Sequence, residues 1–414
     1  TVAHGRHLRV PQRVVVGESM DKQEGGEAGH VLECNVSRTG PDLWTMMSLL
    51  QRTVPFMLML CSVALAAKEY VVPPGDVGSY FASLPADATY LSFSAADVYT
   101  SNGDIVLPPT RMLVIDGRGA RLMLGPASNG FTCAVADQKA ATARLSGRYV
   151  IKDFAEISNG RKAIDLQATL GSIVSNCRFS GQTEVAVDLR FCLMARLENL
   201  MVTNPGGRGI VLRQGDWPGG TAFNSQSNSS VIEQCRVYAS KTTTSAFMVL
   251  NSGGVRMTDC VSEGAPVDFD LFLSATTDGD EERFARNTVV KSFTLANFHV
   301  EHAARVASIH VNMPAKASVN LSNIYWNGVQ SAPVIRYVMG QLNLSDIGWW
   351  SEGFIIQTRI SAPRITVQRC HNGLDVGDPK THTDAKAGVL ELLDALPENK
   401  QLKLTYVVVR DKAM

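Results

Sequence analysis

Asp165 and Asp188 occupy the same place in two matching segments, Ala163-Ile-Asp-Leu-Gln167 and Ala186-Val-Asp-Leu-Arg190. Two further segments of this kind follow, Gly209-Ile-Val-Leu-Arg213 and Phe247-Met-Val-Leu-Asn251. Period-two alternation makes each a strand with one buried face. Ile164/Leu166, Val187/Leu189, Ile210/Leu212 and Met248/Leu250 are expected inside. Asp165, Asp188, Val211 and Val249 then form one outward column, and Gln167, Arg190, Arg213 and Asn251 the next. Stacked strands lie about 4.8 Å apart. Two carboxylates that close repel unless a cation or a shared proton intervenes. Oxygen donors of this kind suit Ca²⁺, so Asp165 and Asp188 are the candidate metal ligands. The same pair has the composition of an acid and a base for glycoside hydrolysis. Arg190 and Arg213, one step along, suit the carboxylate of an acidic sugar. These four residues are the candidate catalytic set. Plain salt bridges from Asp188 to the arginines are the structural alternative.

Two long insertions flank that face. Gln214–Ser230 carries Asp216 and Trp217, and Ala275–Asn287 carries Asp280 and Arg283. Insertions at matching places of a solenoid stack on one side and commonly form its binding face. Asp216, Asp280 and Arg283 are therefore candidate substrate contacts, and Trp217 and Trp350 candidate platforms for sugar rings. Trp326 and Trp349 fall where core packing is expected. The acidic run Asp278-Gly-Asp-Glu-Glu-Arg283 lacks the spacing of an EF-hand, and a solvated charge run is its ordinary reading. His299-Val-Glu-His302 places His299 and Glu301 on one side of a strand, which is unlike the helical HExxH zinc motif. His302, at the turn toward the charged strand, is a candidate acid or base. No CxxC pair or Cys/His spacing points to zinc, and there is no phosphate loop or nucleophile elbow.

The elements that must hold these residues come from a pattern running through the chain. It aligns on Phe154, Cys177, Leu200, Cys235, Cys260, Phe298, Ile324, Ile347 and Cys370, at spacings of 23, 23, 35, 25, 38, 26, 23 and 23. An aliphatic or Met residue stands three positions before each anchor: Ile151, Val174, Leu197, Ile232, Met257, Leu295, Leu321, Leu344 and Val367. Asp or Asn usually precedes the anchor directly and tolerates left-handed backbone there; Gln234 and Arg369 are the exceptions. Coils of about 23 residues with short strands predict an all-β, right-handed parallel β-helix. Segments such as Ile173-Val-Ser-Asn-Cys-Arg-Phe179 and Val255-Arg-Met-Thr-Asp-Cys-Val261 resemble the pectate-lyase-like β-helix superfamily, over about residues 70–378. The resemblance implies a polysaccharide-active scaffold, often using Ca²⁺ and an Arg or Lys base. The Asn-Thr-Asp, Asp-Asp, Gly-His-Gly and Arg-Ile-Lys motifs of its polygalacturonase branch do not occur. Arg359-Ile-Ser and Arg364-Ile-Thr lack the lysine.

Met46-Met-Ser-Leu-Leu-Gln-Arg52, the apolar run to Ala67 and Ala64-Leu-Ala66 have the layout of a secretory signal peptide. The expected organisation is an upstream leader over 1–45, a signal peptide over 46–67, the β-helix over 68–376 and a cap over 377–414. Residues 126–148 are read as one poorly patterned coil. The expected location is secreted or periplasmic, with no membrane insertion after cleavage. Six cysteines follow residue 67, four of them at anchors; buried free thiols are favoured over a Cys235–Cys260 bond. With 39 basic and 39 acidic residues, nothing draws the chain to nucleic acid. The expected partner is a polysaccharide or glycan, and the oligomeric state stays open. Two functional readings remain: a polysaccharide lyase or glycoside hydrolase acting on an acidic polysaccharide, and a non-catalytic glycan-binding or structural β-helix of the adhesin or tailspike kind.

Overall fold

The computed structural model describes residues 68–109, 112–220, 224–273, 291–301, 309–313, 317–327, 334–338, 341–349, 355–357, 364–368, 371–372 and 407–409. All belong to the second of the two units into which the chain divides, Ala66–Met414. The leader and signal-peptide segments, His302, Asp280, Arg283, Trp350 and all of the expected cap except 407–409 lie outside the described residues. Among the described residues no helix is long and apolar enough to cross a membrane.

The fold is a parallel β-helix. Its described strands form one sheet of 21 strands and one of 10, and every pairing between them is parallel. Pattern positions stack in register: Ile151 on Val174, Val174 on Leu197, Leu197 on Ile232 and Ile232 on Met257. The larger sheet bends where the pattern places its turn residue. Asp153, Asn176, Asn199, Gln234, Asp259, Asn297, Asn323 and Asp346 all take φ between 48° and 61°. Asn and Asp visit this region at low cost, and Gln234 is held there by its neighbours. Their amides also pair along the stack: Asn176 Nδ2 donates to Asp153 Oδ1 at 3.0 Å and Asn199 Nδ2 to Asn176 Oδ1 at 2.9 Å. The bend turns the next residue inward, so Phe154, Cys177, Leu200, Cys235, Cys260 and Phe298 are buried. Strand Val407–Val409 continues the larger sheet on Arg364–Gln368.

The described cysteines, Cys133, Cys177, Cys192, Cys235 and Cys260, are buried free thiols. Burial raises the Cys133 thiol to about 11 and that of Cys177 to about 12, so both behave as small apolar side chains. Cys260 Sγ donates to the Thr258 carbonyl at 3.2 Å.

Residues 126–148 form one coil of the solenoid: strand Asn129–Cys133 pairs with Lys162–Gln167, and helix Gln138–Arg144 interrupts the pattern, capped by Asp137, whose carboxylate accepts from the Ala140 amide at 2.8 Å. One sequence expectation needs correction: the strand Ser245–Leu250 is shifted by one residue. Ile210 pairs with Phe247, Leu212 with Val249 and Arg213 with Leu250, so Phe247 and Val249 fill the core while Met248 and Leu250 take outward columns. The wide, stiff Phe247 stacks edge-on with Phe298 at 5.9 Å, a contact the alternation alone did not signal.

Within the smaller sheet, strands Asn129–Cys133, Lys162–Gln167, Val185–Arg190, Arg208–Arg213 and Ser245–Leu250 lie side by side. Each turns two successive residues toward the core near its start. The first is always small: Gly130, Ala163, Ala186, Gly209 and Ala246. A Cβ on Gly130 would fall 2.2 Å from the Ala163 carbonyl oxygen, and the backbone cannot yield as a side chain would. Gly130→Ala is therefore expected to destabilise the protein by about 1–3 kcal/mol, measured by urea unfolding. An unchanged midpoint would contradict this packing.

Candidate functional site

The double inward turn decides what reaches the outer face. Because Ala163 and Ile164 are both buried in the core, Lys162 shares the outward side with Asp165 and Gln167. Asp165 pairs with Asp188 in register, and Arg190 with Arg213, as the strand pattern predicts. The column beside Asp188 continues through Val211 and Met248 to Asp270, whose carboxylate meets His310 Nδ1 at 3.0 Å.

Lys162 is the residue that sequence reading missed. Strict alternation from Ile164 would have turned it inward. The run of small residues at 130, 163, 186, 209 and 246 was the available signal for the extra inward turn. Its ammonium lies 2.7 Å from Asp188 Oδ2 and 3.4 Å from Asp165 Oδ2. The cation required between the stacked carboxylates is thus supplied by the chain itself.

Asp188 is fully engaged. Arg213 clamps it with Nε on Oδ1 at 2.9 Å and Nη2 on Oδ2 at 3.1 Å, and Arg190 Nε approaches Oδ2 at 3.3 Å. Its side chain is only 2% exposed. Burial alone would raise its carboxyl, but hydrogen bonds and charge from Arg213, with Lys162 and Arg190 behind, hold it well below the usual carboxylate range. Burial would likewise lower the Arg213 guanidinium, yet Asp188 and Asp216 raise it further. Asp188 and Arg213 are thus each other's principal charge partners.

Asp165 differs. Burial first, and the Asp188 charge second, raise its carboxyl above the usual value. Its partners are looser: Gln167 Nε2 at 3.4 Å and Arg190 Nε at 3.9 Å. Neighbouring acids pushed in opposite directions are the usual arrangement of a proton donor beside a fixed charge.

The Ca²⁺ expectation meets a donor set that does not fit it. The oxygens of Asp165 and Asp188 face an ammonium, two guanidiniums and an amide, all of them hydrogen-bond donors. A hard divalent ion needs six to eight oxygens.

Asp216 completes the cluster from the long insertion. Arg190 Nη1 donates to its Oδ1 at 3.1 Å and Arg213 Nη1 to its Oδ2 at 2.6 Å. The Asp216 side chain is half exposed, at 49%, against about a fifth for each arginine. Burial would raise its carboxyl, but Arg213 and Arg190 outweigh that and hold it below its ordinary value.

Trp217 does not stand out as a sugar platform. It is 8% exposed and packs with Phe191, Ala168 and Ala141 in a small second core between the insertion and helix Gln138–Arg144. Its rings meet Phe191 edge-on at 6.3 Å, and its indole N–H donates to Gln138 Oε1 at 3.0 Å. Gln138 Nε2 in turn donates to the Asn224 carbonyl at 2.8 Å. The tryptophan therefore anchors the insertion and fixes where Asp216 stands. On another face, His299 and Glu301 share one side of their strand, with His299 Nε2 3.6 Å from Glu301 Oε2, and Tyr325 lies edge-on to the imidazole at 5.0 Å.

No family model and no curated protein matches the chain. Similar solved structures include an alginate lyase from Paenibacillus sp. str. FPU-7, at 10% identity and TM-score 0.49, covering 74% of this chain and 100% of that one. The catalytic domain of a GH87 α-1,3-glucanase in complex with nigerose gives 13% identity and TM-score 0.49, over 74% of this chain and 65% of that chain. A complex of that kind of domain with tetrasaccharides gives 11% identity and TM-score 0.49, over 84% of this chain and 68% of the other.

Proposed function

We propose that the chain is an exported, carbohydrate-directed β-helix protein that binds an acidic polysaccharide on the outer face of the smaller sheet. The supporting observation is the pair of guanidiniums, Arg190 and Arg213. Both are braced from behind by buried Asp188 and both offer an outer nitrogen to a single half-exposed carboxylate. Braced, planar donors recognise a carboxylate better than mobile lysines do, because less side-chain freedom is lost on binding. A uronate carboxylate matches this geometry.

A catalytic use of the same face draws support from Asp165 alone. It is the carboxyl in the cluster raised toward holding a proton, and a general acid for glycosidic cleavage needs that property. Asp188, clamped and strongly acidic, serves as the fixed counter-charge rather than as a base or nucleophile.

The test is binding to a panel of polyuronates and neutral glucans at low salt, followed by product analysis for new reducing ends and for unsaturated uronate. Arg190→Gln is expected to weaken binding to the acidic polymers about 10-fold and leave neutral polymers unaffected, with binding falling as salt rises. Equal binding of acidic and neutral polymers, or an Arg190→Gln variant that binds as well as wild type, would overturn the reading. Release of either product, abolished by Asp165→Asn, would establish the catalytic use.

A further inference from the structure

We infer that Asp216 is an internal occupant of the carboxylate site, and that an acidic sugar binds by displacing it. This rests on the acidic-glycan reading above and assigns its regulation to a residue of the long insertion.

Four observations carry the inference. The Asp216 carboxylate is shared, one oxygen to each arginine, as a bound uronate would be. The pocket behind it is rigid: Asp188 fixes both guanidiniums, and Lys162 fixes Asp188. The occupant is loosely covered, with half its side chain open to solvent while its partners are largely buried. Its backbone neighbours are pinned, because Trp217 is locked in the second core and the Gly215 amide donates to the Ser225 carbonyl at 2.8 Å. Release therefore needs only rotation of the Asp216 side chain, not movement of the loop.

The charge count agrees. Lys162, Arg190 and Arg213 face at most three carboxylates, Asp165, Asp188 and Asp216, so the cluster carries a net positive charge whenever Asp216 is out of place. When Asp216 rotates into water, the two outer nitrogens face solvent with a net positive charge behind them. A uronate then restores the balance. Every encounter must compete with a tethered carboxylate, so apparent affinity falls by the fraction of time that the site is open. The displaced Asp216 also remains close enough to repel the incoming anion. Neutral sugars draw no benefit from the opened site, so the gate lowers affinity for acidic sugars alone and sets how much carboxylate is needed to occupy the site.

The experiment is isothermal titration calorimetry of the full chain, wild type and Asp216→Asn, with an acidic oligouronate and a neutral oligoglucan of equal length. Asp216→Ser, read in parallel, guards against a local effect of the asparagine amide. Both variants are expected to bind the oligouronate about 10-fold more tightly than wild type, with the neutral ligand unchanged and the gain shrinking in high salt. If wild type and both variants bind the oligouronate equally, or the variants bind it less well, Asp216 is no occupant, although the acidic-glycan reading stands. If none of the three binds the oligouronate, both conclusions fall together.

Discussion

Replacing Asp188 with alanine is expected to cost about 3–5 kcal/mol of folding stability. Asp188 is the one acid touched by Lys162, Arg190 and Arg213 together. Its removal leaves three cations within one cluster, with Asp165 and Asp216 too few and too poorly placed to neutralise them. Breaking a buried ion pair from one side costs more than the pair contributes, because the remaining charge stays desolvated. The measurement is denaturant unfolding of Asp188→Ala and Arg213→Ala beside the double variant. Strong coupling is expected, with the double variant losing less than the sum of the two single changes. The pH dependence has a defined sign. The Asp188 carboxyl is lower in the folded state than in the unfolded chain, so its contribution is complete above the ordinary carboxylate range and is lost as pH falls below that range through the lowered folded value. A loss under 1 kcal/mol at pH 7 would show that the cluster is solvated and the carboxylate weakly held.

The second large effect concerns a lysine outside that cluster. Lys291 opens the strand Lys291–Glu301, is 1% exposed, and donates from Nζ to the Leu273 carbonyl at 2.8 Å. Burial lowers its ammonium from 10.5 to about 7. The folded protein therefore binds fewer protons than the unfolded chain between those values. The Lys291 contribution to stability is therefore least favourable below pH 7 and recovers as pH climbs toward 10.5. The penalty at acidic pH is on the order of 3–5 kcal/mol. Lys291→Met keeps most of the volume and removes the charge, so it is expected to stabilise the protein by several kcal/mol at pH 6. At pH 9.5 the advantage should shrink by about 3 kcal/mol. Comparing variant with wild type at each pH cancels other groups, including buried Asp268, whose carboxyl is raised by burial and whose effect has the opposite sign. A variant that is less stable than wild type at pH 6, or a gap that does not change with pH, would refute this assignment.

The sequence by itself determined the solenoid and the location of its bends. Inward anchors and left-handed Asn or Asp positions are local properties of each segment, and stacking identical local geometry leaves little freedom in register. That is why Ile151, Val174, Leu197, Ile232 and Met257 align and are buried. It is also why Asp165 met Asp188, and Arg190 met Arg213, as the alternation required. The tertiary structure decided what these groups do together. Two consecutive inward residues at 163 and 164 turned Lys162 outward, which changed a carboxylate pair awaiting a metal into a neutralised ion network. A one-residue shift at Phe247 exchanged the core and surface sets of one strand and set its ring edge-on against Phe298. Trp217 was taken out of solvent by Ala141, Ala168 and Phe191, and its indole N–H was held by Gln138, a residue 79 positions away on a helix with no place in the repeating pattern. Side chains such as Lys162, Asp216 and Trp217 are set by partners on other coils and insertions. Their roles follow from distances between segments, and those distances exist only once the coils have stacked.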